Sequence, residues 1–234
     1  ATLITGTFID ETITIAIDGP ASSGKGTVAR SVAQALGYSY VDTGAMYRAV
    51  ALTAREAGVP WDAPVALAEL ASGLEFSFHW SDGLLWTCIG TRDISKAIRD
   101  EAVGKGASDV AVFPAVRTAL LHRQQALGAR GGVVMDGRDI GTVVLPNAEL
   151  KVFLDAGVEE RARRRHGELV SRLGNDAPSF ASVLEELRAR DAQDRGRKSA
   201  PLKAAADAVY VDSTARTPED VSALVVSLAR ARGG

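Results

Sequence analysis

The sequence predicts an α/β fold: a parallel sheet covered on both faces by helices, with a local antiparallel piece set into it. Three observations carry that prediction. A β-branched apolar run at 13–17 breaks into Asp18-Gly19-Pro20-Ala21-Ser22-Ser23-Gly24-Lys25-Gly26-Thr27, and a helical pattern follows at once. Short apolar runs of strand length then alternate with helical stretches to the end of the chain, the pattern of strands joined by crossover helices. The stretch 61–106 breaks the alternation with two β-rich runs around Ser81-Asp82-Gly83, the pattern of a hairpin.

Taken in order, residues 13–17 are short, β-branched and apolar and end at Asp-Gly-Pro, so they read as a buried strand entering a turn. Residues 27–36 place Val28, Val32, Ala35 and Leu36 at helical spacing, and Gly37 stops the helix. A short strand at 38–41 closes on Asp42-Thr43-Gly44, and a helix over 45–57 ends at Gly58. The hairpin strands are 74–80 and 84–89. Phe113-Pro114 opens a helix to 129, and a buried strand at 132–135 ends at Asp136-Gly137-Arg138-Asp139. A strand at 150–154 leads to a helix from about 158; a helix over 180–195, a last strand at 208–211 and a last helix at 218–231 complete the chain. Ligands of such sheets bind at the carboxyl ends of the strands, and Asp18, Asp42 and Asp136 all fall at such ends.

The chain has 234 residues, 46% hydrophobic and 24% charged, enough for a large core in one domain with an insert or in two small domains. A formal net charge of -2 gives no global pull toward nucleic acid or an anionic membrane. The single cysteine, Cys88, cannot form an internal disulfide, and no Cys/His group has zinc spacing, so a reducing compartment is expected. Cys88 lies in an alternating apolar run and is expected as a core thiol. The first residues lack a basic region before an apolar run, so they are not read as a signal peptide. With no apolar stretch of membrane-spanning length, the expected setting is the cytoplasm.

The segment Gly19 to Thr27 joins a strand to a helix, as a phosphate-binding loop requires. Its small residues leave backbone N–H groups free, and the helix N-terminus adds positive partial charge. Gly19 and Gly24 permit close approach, and Lys25 carries an ammonium to the phosphates. The common pattern follows the lysine with a hydroxyl that binds magnesium. Here Gly26 takes that place and the hydroxyl comes at Thr27, so a metal is expected to rest mostly on water and phosphate oxygens. The GKGT form resembles the loop of nucleoside monophosphate kinases.

Three further polar groups suit an acceptor. In Asp42-Thr43-Gly44-Ala45-Met46-Tyr47-Arg48, Thr43 can cap a helix and Arg48 can fork onto a phosphate or stand as a surface charge. Asp136 ends an apolar strand, where a carboxylate orders magnesium and its waters, or where Asp-Gly simply builds a turn. From 155 to 198 nine arginines and one lysine face nine carboxylates. That balance fits a salt-bridged helix pair, or a lid whose arginines offset developing charge, with Arg161 and Arg165 on one helical face.

GPASSGKGT, DTGAMYR, FPAVRTALLHRQ, VVMDGRDIGTVV and RDAQDRGRKSAPL, in this order, resemble the bacterial cytidylate kinases, within the nucleoside monophosphate kinase family of P-loop proteins. The resemblance runs from about residue 13 to the C-terminus. It implies a P-loop core at 13–60 and 107–234 with a five-stranded parallel sheet in the order 2-3-1-4-5, a lid at about 158–178, and an antiparallel acceptor-binding insert at 61–106. Residues 1–12 match nothing in the family and are expected to be an extension.

It also implies roles. ATP is bound by Gly19, Pro20, Ala21, Ser22, Ser23, Gly24, Lys25, Gly26 and Thr27. Ser108, Arg117 and Asp139 read the cytosine, whose N4 amino group suits a carboxylate and whose N3 and O2 suit an arginine. Thr43 keeps a hydroxyl where serine is frequent. Arg48, Arg138 and Arg197 hold the acceptor phosphate, while Arg190 and Asp194 serve the sugar hydroxyls. Lys25, Arg161, Arg165 and Arg190 are the catalytic candidates, and Thr27 and Asp136 the magnesium candidates. The implied partners are CMP or dCMP and ATP with Mg2+, on a monomer, without nucleic acid or membrane. Two other readings remain at this point: a different P-loop small-molecule kinase, and a nucleotide-dependent switch.

Overall fold

The structure, a computed structural model, describes residues 12–81 and 84–233. The turn residues Asp82 and Gly83 and nearly all of the 1–12 segment lie outside the described residues.

The first strand, β1 (Thr14–Asp18), feeds the glycine-rich loop, and helix α1 (Lys25–Leu36) leaves it. α1 stops at Gly37, whose left-handed φ of 69° closes the helix on the Ala33 and Gln34 carbonyls. Next come β2 (Ser39–Asp42) and α2 (Thr43–Glu56), where the Asp42 side chain accepts from Ala45 N and caps the helix. The insert holds α3 (Pro64–Gly73), the hairpin β3 (Phe76–Ser81) and β4 (Leu84–Ile89), a two-residue β5 (Arg92–Asp93), and α4 (Glu101–Val110) capped by Asp100. The chain returns through α5 (Pro114–Gly128), β6 (Val133–Gly137), a single π-helical turn (Ile140–Val144) and β7 (Leu150–Asp155). The antiparallel pair α6 (Val158–Leu173) and α7 (Phe180–Gly196) precedes β8 (Val209–Asp212) and α8 (Pro218–Gly233).

The five long-range strands pair in parallel in the order β2-β6-β1-β7-β8, which is 2-3-1-4-5 counted along the chain, as expected. β3, β4 and β5 form a separate antiparallel sheet. Because parallel strands are covered on both faces, β1, β6 and β7 read as apolar runs rather than as alternations. Ile15 and Ile17 of β1 pack with Val28 and Val32 of α1 and Val225 of α8 on one face. Ala16 and Met135 pack with Ile140 and Val144 on the other.

A second core joins the insert to the rest: Leu52 of α2, Leu67 of α3, Val103 of α4 and Leu120 of α5 share one buried cluster. The boundary expected at 106 falls inside α4, which packs on α2. A small third cluster, with Ala162, Leu169, Val183 and Leu187, seats the α6–α7 pair against Ala21 of the loop. Cys88 corrects an expectation. β4 buries Thr87, so Cys88 lies on the other face with exposed Trp86 and is only partly buried rather than in the core.

Candidate active site

The loop gets its shape from what holds its carbonyls. Lys25 Nζ donates to Pro20 O at 3.0 Å, Arg161 Nη1 to Ala21 O at 3.1 Å, and Ser213 Oγ to Ser23 O at 3.1 Å. In a trans peptide the following N–H points opposite to the carbonyl, so pinning these oxygens turns the Ala21, Ser22 and Gly24 N–H groups the other way. Gly24 sits at φ 88° just before α1, a conformation that favours glycine. A Cβ on Gly19 would collide with the carbonyl oxygen of Leu154 in β7, so glycine is required there by close approach.

The loop forms one wall of a cleft of about 1030 Å³ that runs from the sheet's carboxyl edge to the insert and the α6–α7 pair. Ala21, Ser22, Gly24, Lys25, Gly26 and Thr27 line it, whereas Gly19, Pro20 and Ser23 do not. The cleft is also lined by Thr43, Arg48, Ser108, Arg117, Asp136, Arg138, Asp139, Arg165, Arg190, Asp194 and Arg197.

Their contacts are specific. Arg117 Nη2 donates to Asp139 Oδ2 at 2.5 Å, and its guanidinium lies 5.4 Å from the Tyr47 ring centre. Asp42 pairs with Arg48 at 2.6 Å. Asp194 accepts from Arg138 Nε at 2.9 Å and from Arg197 Nη2. Thr43 Oγ1 donates to the carbonyl of Asp136 at 2.7 Å, which fixes that hydroxyl against β6. Gln193 Nε2 donates to Ser108 O at 3.1 Å and joins α7 to α4. Arg190 Nε and Arg197 Nε are buried and find no partner among the described residues.

The charges do not balance without a ligand. Burial and the neighbouring Arg138 pull Lys25 down to about 7, although Asp136 opposes them. Burial and Arg138 likewise pull Arg190 down to about 10. Burial would raise Asp194, but Arg138, Arg197 and Arg190 outweigh it and hold the carboxyl low. Crowded, desolvated cations with too few carboxylates are what a site for a multiply charged anion requires.

Asp136 lies beside the loop, at Gly26. Burial and Asp42 push it up to about 6, and Tyr40 Oη donates to its Oδ1 at 3.0 Å. A Cβ on Gly26 would stand in ordinary contact with Tyr40 Oη at 3.5 Å and Asp136 Oδ2 at 3.9 Å, so position 26 lies beside this carboxylate. Among the described residues no three carboxylate, histidine or cysteine side chains converge as a cage. Asp136, a carboxylate oxygen donor beside the loop, is of the kind a magnesium ion takes directly or through its waters.

The two lid candidates differ. Arg161, expected as a lid arginine acting on the phosphates, lies behind the loop and outside the residues that line the cleft. Its guanidinium is 3% exposed and is taken up by Asp191 of α7, at 2.5 and 3.1 Å, and by the Ala156 and Ala21 carbonyls. Arg165 does line the cleft and reaches Glu101 of α4 at 2.8 Å; Arg172 joins the same carboxylate. Sequence reasoning missed Arg164, which lines the cleft and donates to Ser213 O at 2.6 Å. Helical spacing places 161, 164 and 165 along one stripe, and only the position of Asp191 decides which of them turns inward. Tyr40, Asp42 and Asp18 were also absent from the expected ligand set, although the two aspartates were noted at strand ends.

A cytidylate kinase family profile matches residues 15–231. A cytidylate kinase of Pasteurella multocida is 46% identical over 215 residues, covering 92% of this chain and 94% of that protein. One from Stutzerimonas stutzeri is 49% identical over 216 residues, covering 91% and 93%. One from Geobacillus thermodenitrificans is 46% identical over 230 residues, covering 97% of this chain and 100% of that protein.

Proposed function

The chain belongs to the cytidylate kinase family, and from that premise we propose which residues of the cleft perform the reaction. The reaction is the ATP-dependent phosphorylation of CMP and dCMP to CDP and dCDP. The observation that carries the assignment is the buried Arg117–Asp139 pair, joined to a cluster of four arginines that leads toward the loop.

The acceptor base meets Asp139, Arg117 and Ser108, with Asp139 accepting from the N4 amino group. Arg48, Arg138 and Arg197 hold the acceptor phosphate, with Thr43 beside them. Asp194 orients Arg138 and Arg197 and, with Arg190, serves the sugar. One acceptor phosphate oxygen attacks the γ-phosphorus of ATP; the new P–O bond forms as the bond to the ADP oxygen breaks. That oxygen is already anionic near neutral pH, so no general base is needed. Alignment and charge neutralisation remain. Lys25, the loop N–H groups and Arg190 face the triphosphate, and Arg165 and Arg164 approach from α6. The Thr27 hydroxyl and Asp136 would hold the water shell of a magnesium ion, which would supply further charge neutralisation when bound. Closure of the α6–α7 pair over the cleft excludes water, the competing acceptor.

We place this reaction in the cytoplasm, on a monomer. A coupled ADP-release assay over CMP, dCMP, UMP and AMP tests the reading. Turnover concentrated on CMP and dCMP is expected. Equal turnover with AMP removes the cytosine assignment, and ATP hydrolysis without an acceptor favours a nucleotide-dependent switch.

A further inference from the structure

Asp18 ends β1 and opens the loop, yet its carboxylate does not face the cleft. It turns sideways onto the segment that follows β6, the neighbouring strand, where Asp18 stands opposite Gly137. Oδ1 accepts from Ile140 N and Oδ2 from Gly141 N, both at 2.8 Å. The carboxylate is buried, and the two N–H groups belong to the start of the π-helical turn Ile140–Val144.

Asp139 occupies the cap position of that turn, and aspartate in such a position ordinarily accepts the first free N–H groups with its own side chain. Here it makes no such bond, and its Oδ2 instead meets Arg117 at 2.5 Å. The free N–H groups are served from another strand. The fit is close, since a Cβ on Gly141 would come within 3.1 Å of Lys151 Cδ and 3.5 Å of Asp18 Oδ2. The charged groups near Asp18 include Asp139, which disfavours its ionisation, and Arg138, which favours it; burial dominates both. No cation pairs with Asp18 among the described residues, so its partners are the two backbone donors alone.

We propose that Asp18 is a positioning residue for acceptor recognition: it caps the turn after β6 in place of Asp139, leaving the Asp139 carboxylate for the acceptor base. The inference rests on the reading of Asp139 as a base-reading residue. It also ties the alignment of the acceptor segment to the first residue of the donor loop, so both ends of the cleft share one rigid joint between β1 and β6.

The test compares Asp18→Asn with Asp139→Asn in the full chain. Asp18→Asn keeps the size and one acceptor oxygen but sets an amide N–H2 against a backbone N–H. The expected result is a rise of about tenfold in KM for CMP with KM for ATP held within about twofold, as for leaving one buried backbone N–H without its acceptor. The preference for CMP over UMP narrows with it. A purely structural role lowers the melting temperature and the active fraction but leaves both KM values and the preference unchanged. That outcome, alongside a clear CMP defect in Asp139→Asn, overturns the proposal alone. An unchanged KM for CMP in Asp139→Asn overturns the base-reading assignment itself. If Asp18→Asn does not fold, Asp18→Ser, which keeps one hydroxyl acceptor, carries the same readout. If neither variant folds, the carboxylate belongs to the fold and the proposal fails.

Discussion

Arg117 of α5 and Asp139 of the segment after β6 face each other across the acceptor end of the cleft, each side chain 8% exposed and 2.5 Å from its partner. A buried pair of this kind is worth little to stability on its own, but removing one member strands the other charge. Asp139→Ala is expected to lower kcat/KM for CMP by about 100-fold while KM for ATP stays within about twofold. Steady-state kinetics with each substrate varied in turn decides it. Equal losses for both substrates would assign Asp139 to the metal or the fold.

Lys25 is buried among cations, and that burial has a cost the substrate-free protein bears. Its pKa is displaced from 10.5 to about 7, so the unfolded chain holds the proton more tightly than the folded one. Folding stability from this group therefore falls as pH drops from 10.5 through 7, and the loss is complete below that window. Lys25→Met removes the charge. It is expected to raise the melting temperature of the substrate-free protein at pH 6–7 while cutting kcat by at least about 10²–10³-fold, the usual cost of losing a charge-stabilising donor. Calorimetry and initial rates on the same preparation check both halves. A variant with near-normal kcat would remove the role given to the loop.

The order of strands and helices was readable because each β run is apolar and short and each crossover helix repeats at helical spacing. Two helices of the insert were not. α3 carries Val65, Ala66, Leu67, Ala68, Leu70 and Ala71, too evenly apolar to show a face. α4 carries Gly104 and Gly106, which read as breakers. The structure explains Gly106: a Cβ there would run into the Trp61 ring, so the glycine is a packing requirement inside a helix. At the site, the loop chemistry followed from residue types alone. The identities of Ser108, Arg117 and Asp194 came only through family resemblance, because residues distant in sequence meet there through the packing of α2, α4, α5 and α7. The orientation of Asp18 was beyond reach for the same reason, since it depends on β1 and β6 lying side by side.

Arg161 and Arg165 share a helical face, and the structure gives them different contacts. Arg161 is held by Asp191, a pair with 3% and 15% side-chain exposure, and by two carbonyls. Arg161→Met is expected to destabilise the fold by about 3–5 kcal/mol, since Asp191 is left without its partner. In the folded fraction, KM for ATP and for CMP should change less than about twofold. Denaturant titration with active-site-normalised kinetics measures both. A large kcat loss with unchanged stability would return Arg161 to the catalytic set.

Asp136 presents the last contrast, because its carboxylate serves either the metal or the turn. Tyr40 holds Oδ1, while Oδ2 lies toward Gly26. If Oδ2 orders the water shell of magnesium, Asp136→Asn raises the magnesium requirement of catalysis without touching the acceptor. The magnesium concentration giving half-maximal rate should rise by about tenfold, in the range found for loss of an outer-shell metal contact, while the dissociation constant for CMP stays the same. Chelation by EDTA should likewise abolish turnover and leave CMP binding intact. A turn-forming role gives the reverse pattern: a lower melting temperature, unchanged magnesium dependence, and weakened CMP binding as Arg138 and Asp139 shift with the end of β6.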